Sequence, residues 1–244
     1  MQFRDFSFSE LLEACRTHDL ETLSLAYGLS RGELETLDAA VRGPVAVERG
    51  TNVCPAGRPC ETLYVVHSGA FKCYRHDTDG DDRIMRFLFA GEMMGLDSLY
   101  DGNHHTTCTA LVASYVFRLP VSRLPEITRA VPGLQRELLR LAVKRIREDE
   151  EHMLLVTRKP AAARIATHFL HVNQRQRTHH SAAVIYLPMT RNDLASYLDL
   201  APETLSRHLS QFERDGVIEI PDSRHVVLAD MQRLADLAGF VPQG

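Results

Sequence analysis

The stretch MTRNDLASYLDLAPETLSRHLSQFERDGVI, residues 189–218, decides how the C-terminal part of the chain folds. Thr190 followed three positions later by Asp193 is the pattern of a capping box, which opens an α-helix. The segment LDLA then makes a turn, and Pro202 suits the first position of a second helix. The apolar residues of this second helix recur at helical spacing: Leu205, Leu209 and Phe212. Two short helices joined by a tight turn predict a helix-turn-helix unit.

Flanking segments extend this unit. Pro160 begins a helix over AAARIATHFLHVNQRQ, and RTHHSAA is a loop. After the second helix, GVIEI and HVVL are separated by a turn at residues 221–224. They predict a two-stranded wing.

A polar patch on the second helix suggests what the unit contacts. Glu203, Ser206 and Arg207 share one face, because residues three and four apart project to the same side. The N-terminal part of such a helix enters the major groove of DNA, where arginine pairs with guanine and glutamate accepts from the cytosine amino group. The alternative is a solvated Glu/Arg pair. We predict that the following residues contact DNA: Glu203, Ser206, Arg207, Thr204, Thr190 and Arg191.

Residues 44–119 consist of short strands. Apolar and β-branched runs fill ETLYVVHSGAFKCYRHDTDGDDRIMRFLFAGEMMG, and HTTCTALVASYVFRLP adds two more strands. Three turn signals interrupt the first stretch: Ser68-Gly69, Asp79-Gly80 and Ala90-Gly91. DTDGDD predicts a hairpin tip, because Asp-Gly supplies the positive φ of such turns. The pattern predicts an antiparallel β-roll, or jelly roll, and therefore an α+β protein.

Between the strands and the helix-turn-helix, residues 132–157 have helical period and contain no Pro or Gly after Gly133. One apolar stripe, consisting of Leu134, Leu138 and Leu141, is expected to cover the strand domain. A second stripe has coiled-coil spacing and predicts a homodimer interface around a twofold axis. It consists of Leu139, Ala142, Ile146, Asp149, Met153 and Val156.

Asp149 places a carboxylate in this second stripe, between Glu148 and the pair Glu150 and Glu151. A parallel dimer would bring two acidic clusters together, and like charges at partly desolvated positions oppose association. Two interpretations stay open. The stretch is a frayed, solvated part of the helix, or the dimer is destabilised and its assembly depends on a signal.

Composition limits the class of protein. The chain has 244 residues, 44% of them hydrophobic, and a net charge of −4, so DNA binding must come from local geometry rather than from overall charge. No apolar run reaches the length of a membrane helix and no signal peptide opens the chain, which predicts a cytoplasmic protein without a membrane partner. Five cysteines without repeated close pairs predict reduced thiols.

We divide the chain into a β-roll sensor domain (1–130), a dimerisation helix (131–157) and a winged helix-turn-helix domain (158–244).

The order of strand domain, long helix and winged helix-turn-helix resembles the CRP/FNR superfamily of bacterial transcription regulators, over roughly residues 20–240. The matching segments are TLYVVHSGAFKCY, FLFAGEMMGLDSL and the stretch quoted first. Its E-T-L-S-R is similar to the E-x-x-S-R signature of the FNR branch, which implies an inverted repeat of TTGAT-like half-sites and RNA polymerase as a partner. The resemblance assigns Glu203 and Arg207 to the G·C pair and Ser206 to the neighbouring thymine. The cyclic-AMP branch has Arg where Pro202 stands and Gly where Ser206 stands.

The N-terminal sensor domain lacks residues that bind cofactors in other members of the family. Members of the FNR type hold an iron-sulfur cluster on cysteines, whereas only Cys15 fits the expected N-terminal run here and Phe117 stands at the fourth ligand position. In the cyclic-AMP branch a Glu binds ribose and an Arg-Ser pair binds phosphate. This sequence has Leu96 near the first position and Thr106-Thr107 at the second, and it lacks the arginine fork that would pair with phosphate. The residues therefore argue against both cofactors.

The sequence contains weaker indications of a metal, haem or redox site. A metal or haem contact has four candidate residues: Cys15, His104, His105 and Cys108. Cys54 and Cys60 in CPAGRPC are either a redox disulfide or small apolar residues of the strand core. A metal-, haem- or thiol-based sensor with the same DNA output is therefore the alternative function. An enzyme on a cupin-like barrel is a further alternative, but the His-x-His pair of its usual metal site is missing.

Overall fold

The computed structural model describes residues 29–77, 80–176 and 184–239. These residues belong to two compact units, one within residues 1–147 and the other within residues 148–244. The first is built mainly from strands and the second mainly from helices. The α+β class expected from the sequence is confirmed.

The first unit begins with a short helix and continues with strands. Its elements are α1 (Arg31–Ala40), β1 (Arg42–Val47), β2 (Asn52–Cys54), β3 (Thr62–Ser68), β4 (Phe71–His76), β5 (Asp82–Leu88), β6 (Met93–Met94), β7 (Thr107–Ala110), β8 (Ser114–Pro120) and α2 (Leu124–Ala130). The long helix α3 (Pro132–Arg158) begins in this unit and ends in the second.

The strands form two four-stranded antiparallel sheets, in the orders β1-β8-β3-β6 and β2-β7-β4-β5. Neighbours in each sheet are mostly distant in sequence, as in a β-roll, and the expected architecture is confirmed. Inward-facing apolar side chains fill the interior, among them Val66, Phe71, Leu88, Met94 and Val116. Burial of these side chains provides the main driving force for this unit.

Two of the expected turns join strands that are consecutive in the chain. Gly69, between β3 and β4, has φ of 95°, and a Cβ atom there would collide with the side chain of Ser114. Only glycine satisfies both conditions. The expected hairpin between β4 and β5 is also present, with Gly80 at φ of 86° and the Asp81 amide donating to Asp77 Oδ1 at 3.0 Å. Thr78 and Asp79 lie outside the described residues.

Helix α1 is tied to the start of α3 through one carboxylate. Glu33 closes a capping box with Ser30, whose amide donates to Glu33 Oε2 at 2.9 Å. The other oxygen, Oε1, accepts from the Gly133 amide at 2.8 Å, and these hydrogen bonds lower the pKa of Glu33. A Cβ atom on Gly133 would approach Glu33 Oε1 to 2.6 Å. Glycine at this position therefore lets one side chain cap two helices.

The first apolar stripe of α3 covers the strand domain as expected. Leu134 is fully buried, and Leu138 and Leu141 pack against the same core. That core also contains buried residues of α1, α2 and the strands, including Leu37, Ile127, Val65 and Leu119.

The cysteine prediction needs a correction. Cys73 on β4 and Cys108 on β7 are directly opposite each other and form a disulfide, whereas we expected reduced thiols. Cys54 and Cys60 are both free and buried, so the pair considered in CPAGRPC is not the bonded one. Sequence spacing could not reveal the bonded pair, because the two cysteines are 35 residues apart and only strand register brings them together.

The second unit contains the end of α3 and the C-terminal elements. These are α4 (Ala161–Gln176), β9 (Val184–Tyr186), α5 (Arg191–Tyr197), α6 (Pro202–Arg214), β10 (His225–Val227) and α7 (Met231–Ala238). Apolar side chains of α4, α5 and α6 are buried, among them Ile165, Phe169, Leu194, Leu205 and Phe212. The expected helix-turn-helix is confirmed as α5 and α6.

The wing differs in one respect from the prediction. β10 pairs over three residues with β9, which precedes the helix-turn-helix. The GVIEI segment contributes a single bridge, Glu219 to Val227. The wing is therefore held by a strand that comes before α5 in the chain, and not by a hairpin alone.

Among the described residues, no helix combines the length and apolar character that crossing a bilayer requires.

Candidate nucleic-acid interface

The start of α5 is fixed by the capping box that the sequence predicted. The Asp193 amide donates to Thr190 Oγ1 at 3.0 Å, and the Thr190 amide donates to Asp193 Oδ2 at 3.1 Å. The Thr190 hydroxyl donates to the same carboxylate at 2.7 Å. Thr190 is exposed, but its hydroxyl is engaged within the capping box. Its first role is therefore to position α5.

Arg164, which was not predicted from the sequence, holds the turn between α5 and α6. Within this turn, Asp199 has φ of 53°, which is uncommon outside glycine. The Arg164 guanidinium of α4 donates from Nη1 to the carbonyl oxygens of Leu198 at 3.1 Å and Asp199 at 2.9 Å. Its Nε donates to the Lys159 carbonyl at 2.8 Å. Nothing local in the sequence links Arg164 to a turn so far along the chain.

Helix α6 separates an apolar face from a polar one. Leu205, Leu209 and Phe212 are buried within the second unit. Glu203, Ser206 and Arg207 are exposed, and among the described residues their side chains make no hydrogen bond or ion pair. The geometry therefore brings together the three principal residues predicted from sequence. All three are available to a ligand.

The N-terminal end of α6 adds a second feature that suits an anion. Its N-cap residue, Ala201, has no side chain that could bond the first amides of the helix, and Pro202 occupies the first turn. The amides that follow therefore lack a capping side chain. Exposed amides and the positive end of the helix dipole favour a phosphate group.

The remaining predicted contacts are less exposed. Thr204 on α6 and Arg191 on α5 are half-buried. Burial lowers the pKa of Arg191, and the charge of Glu213 on α6 acts in the opposite direction. Arg191 is therefore less available to a ligand than the three exposed residues of α6.

The wing tip carries a carboxylate. Asp222 Oδ1 accepts from the amides of Arg224 at 2.7 Å and His225 at 2.9 Å, and Oδ2 lies 2.8 Å from His225 Nδ1. These hydrogen bonds lower the pKa of Asp222, and the bond from the Arg224 amide has the largest effect. A negative charge at the tip is unfavourable next to a phosphate, so the main polar contacts of this unit fall to α6.

The second stripe of α3 is exposed over much of its length. Leu139 is 66% exposed, Ile146 60% and Met153 58%. Asp149 is also exposed, whereas Ala142 and Val156 are half-buried. Two further exposed apolar residues, Val143 and Leu154, were not in the predicted set. A row of large apolar side chains open to water is typical of a surface that binds another chain.

The C-terminal part of α3 packs closely on the helix-turn-helix unit. The rings of His152 on α3 and Tyr197 on α5 are stacked with their centroids 4.2 Å apart. Arg175 Nη2 of α4 lies 3.7 Å from Glu148 Oε1 of α3. Burial lowers the pKa of His152, which favours the neutral form of the ring. These contacts fix the end of α3 to the elements that support α6.

The weak metal or haem candidates do not converge. Cys108 is bonded to Cys73, the Nδ1 atom of His104 lies 2.9 Å from Ser98 Oγ, and His105 Nε2 lies 3.0 Å from Asp101 Oδ1. In the described parts of the chain, no three His, Cys, Asp or Glu side chains are arranged to hold a metal ion. Cys15 lies outside the described residues.

Comparisons with known proteins agree with this architecture. Residues 44–130 match the cyclic nucleotide-binding domain, and residues 163–237 match the Crp-like helix-turn-helix domain. The chain is 31% identical over 226 residues to Electron transport regulator A of Shewanella oneidensis, covering 92% of this chain and 90% of that protein. It is 29% identical over 226 residues to the Fumarate and nitrate reduction regulatory protein of Escherichia coli strain K12, with the same coverage of 92% and 90%. The structure of FixK2 from Bradyrhizobium japonicum is similar with a TM-score of 0.74 and 30% identity, covering 81% of this chain and 97% of that one.

Proposed function

Because this chain belongs to the CRP/FNR family of transcription regulators, we propose that it works as a homodimer that reads an inverted repeat of TTGAT-like half-sites. The protein is a DNA-binding regulator of this family. The proposal adds the oligomeric state, the sequence that is read and the residues that read it. We propose no enzymatic role. The protein would act in the cytoplasm, together with RNA polymerase.

The observation that carries the proposal is the exposed polar face of α6, formed by Glu203, Ser206 and Arg207. Arg207 can donate its planar fork to guanine O6 and N7, and Glu203 one turn earlier can accept from the paired cytosine. Ser206 between them can contact the neighbouring thymine. Uncapped amides at the start of α6 supply a phosphate contact that sets the register of the helix on the duplex.

The exposed stripe of α3 supports the homodimer. A twofold interface places the same residues of two chains against each other, so one stripe with heptad spacing is sufficient. The His152–Tyr197 stack and the Arg175–Glu148 pair transmit the position of α3 to the helix-turn-helix. The dimer helix would thereby set the separation of the two copies of α6, which must match about one turn of DNA, roughly 34 Å.

Acidic residues in the stripe would keep the dimer weak. The repulsion expected across the axis comes from the acidic cluster of Glu148, Asp149, Glu150 and Glu151. We infer that this repulsion makes assembly, and hence DNA affinity, sensitive to a signal. A regulator that binds two half-sites with one dimer loses affinity steeply when the dimer dissociates.

The family resemblance raises two cofactors, an iron-sulfur cluster and cyclic AMP, and the residues at two positions argue against them. Phe117 is buried in the core against the ring of His67, with ring centroids 5.3 Å apart, so the position offers no thiolate to an iron-sulfur cluster. Thr107 is buried and its Oγ1 accepts from the Ala56 amide at 3.1 Å. The Thr106-Thr107 pair therefore supplies no cationic fork for a cyclic phosphate. We propose that the signal is neither of these.

Replacement of Arg207 tests the reading of DNA. Arg207→Ala should weaken binding to an inverted TTGAT repeat by about 1 to 3 kcal/mol and should flatten the preference at one base pair of each half-site. Binding-site selection from random DNA, followed by titration on single-base variants, measures both quantities. Arg214→Ala is the matched control, because Arg214 is an exposed arginine at the other end of α6 and bonds Gln211. The proposal fails if Arg207→Ala lowers affinity for all sequences equally.

A further inference from the structure

Three cysteines lie in one row across the second sheet of the β-roll. Cys108 on β7 is opposite Cys54 on β2 in one direction and opposite Cys73 on β4 in the other. The three strands are adjacent in the order β2-β7-β4. Cys108 therefore has a cysteine neighbour on each side.

All three side chains point to the same interior. Their residues are 1% to 2% exposed and belong to one apolar cluster with Phe71 and Val116. Residues directly opposite in antiparallel strands have side chains on the same face, with Cβ atoms about 4.5 to 5.5 Å apart. The Cα atoms of Cys73 and Cys108 are 4.2 Å apart, and this pair is bonded. Cys54 therefore occupies the register position next to the bonded pair and belongs to the same buried cluster.

The order of the three strands suits thiol-disulfide exchange. A thiolate attacks a disulfide sulfur from the side opposite to the leaving sulfur. Because β2 and β4 flank β7, Cys54 occupies the register position on one side of Cys108, and the bonded Cys73 occupies the position on the other side. Cys60 is also free and buried, but it lies outside this row.

Access is provided by the position of β2. This strand has three residues and lies at the edge of its sheet, with Cys54 as its last residue. Short edge strands open locally more readily than central ones. Burial raises the pKa of the Cys54 thiol to about 12, so exchange is slow while β2 is closed and becomes faster when it opens.

We propose that Cys54, Cys108 and Cys73 form an internal thiol-disulfide exchange site for small-molecule disulfides such as oxidised glutathione. The Cys54 thiolate attacks the small disulfide, which forms a mixed disulfide and releases one small thiolate. The Cys108 thiolate displaces the second small thiolate and forms the Cys54–Cys108 bond. The Cys73 thiolate then attacks Cys108, forms the bond seen in the structure and releases Cys54. In sum, two protein thiols are oxidised and one small disulfide is reduced to two thiols.

This site goes beyond DNA reading and does not depend on it. The two disulfides have different mechanical effects, because one joins β7 to the central strand β4 and the other joins β7 to the edge strand β2. Exchange at Cys108 therefore changes which strand of the sheet is covalently held.

Disulfide mapping of the full chain tests the proposal. All variants carry Cys60→Ser, because trypsin does not cleave between Arg58 and Pro59 and would leave Cys54 and Cys60 on one peptide. The reduced protein is incubated with oxidised glutathione, trapped with N-ethylmaleimide and digested without reductant. We expect the Cys73–Cys108 pair in the background protein and the Cys54–Cys108 pair when Cys73→Ser is added. With Cys54→Ser, the Cys73–Cys108 pair should form at least tenfold more slowly.

Folding of each variant is checked by circular dichroism and thermal unfolding. The proposal is overturned if folded Cys73→Ser leaves Cys54 and Cys108 unlinked, or if Cys54→Ser forms the Cys73–Cys108 pair at the rate of the background protein. If Cys73→Ser does not fold, the oxidised background protein is treated with a small amount of dithiothreitol and trapped at early times. A transient Cys54–Cys108 pair supports the site, and its absence at every time point overturns it.

Discussion

Ile146 offers the sharpest test of the interface on α3. Its side chain is 60% exposed in one chain although it is large and apolar. Ile146→Ala removes three carbon atoms, worth about 0.8 kcal/mol each when fully buried. Scaled by the 60% exposure, the loss is about 1.4 kcal/mol per chain and about 3 kcal/mol per dimer. The dissociation constant of the dimer should rise by roughly 100-fold.

Sedimentation equilibrium over a range of concentrations measures this change directly. Alanine favours helix more than isoleucine does, so α3 itself should not be weakened. Met85→Ala is the control, because Met85 is an exposed apolar residue that belongs to β5 and not to α3. A dimer constant for Ile146→Ala within threefold of the wild-type value would refute the assignment of this stripe to the interface.

Three further changes probe charge, capping and burial. Asp149→Ala should strengthen the dimer, and the gain should shrink as salt is added because screening weakens the repulsion it removes; a weaker or unchanged dimer in low-salt sedimentation would exclude the repulsion. Asp193→Ala should lower the free energy of unfolding by about 1 to 2 kcal/mol in urea titrations, since it removes the capping box of α5; an unchanged midpoint would show that the box contributes little. Burial lowers the pKa of His168 from 6.5 to about 3, so its contribution to stability is lost as the pH falls through this range. Between pH 6.5 and 4 the wild type should therefore lose stability more steeply than His168→Gln, by up to about 1.4 kcal/mol per pH unit; parallel curves would contradict this.

Features encoded by neighbouring residues were predictable from the sequence. The capping box of Thr190 and Asp193, the buried face of α6 and the first stripe of α3 depend on spacings of three and four residues, which helical geometry converts directly into faces. The polar face at Glu203, Ser206 and Arg207 followed from the same period. The structure brings these three side chains together, and their role on DNA stays a prediction.

Features that depend on strand register were not predictable. The Cys73–Cys108 bond and the β9–β10 pairing join residues that are far apart in the chain, and several registers are compatible with the same apolar pattern. Arg164 was missed for a similar reason, because its partners are backbone carbonyls that carry no sequence signal. Spacing along the chain predicts isolated thiols, whereas strand register brings two of them together.

The carboxylate of Glu33 has a practical implication for work on shortened chains. A fragment that starts after Ala40 would retain every described strand of the β-roll but would leave the Gly133 amide without its acceptor. It would also lack Leu29, Leu34 and Leu37, which belong to the apolar core around the start of α3. The first turn of α3 would then unravel more readily. Measurements of self-association on such fragments would underestimate that of the intact polypeptide, even though all the residues of the exposed stripe are still present.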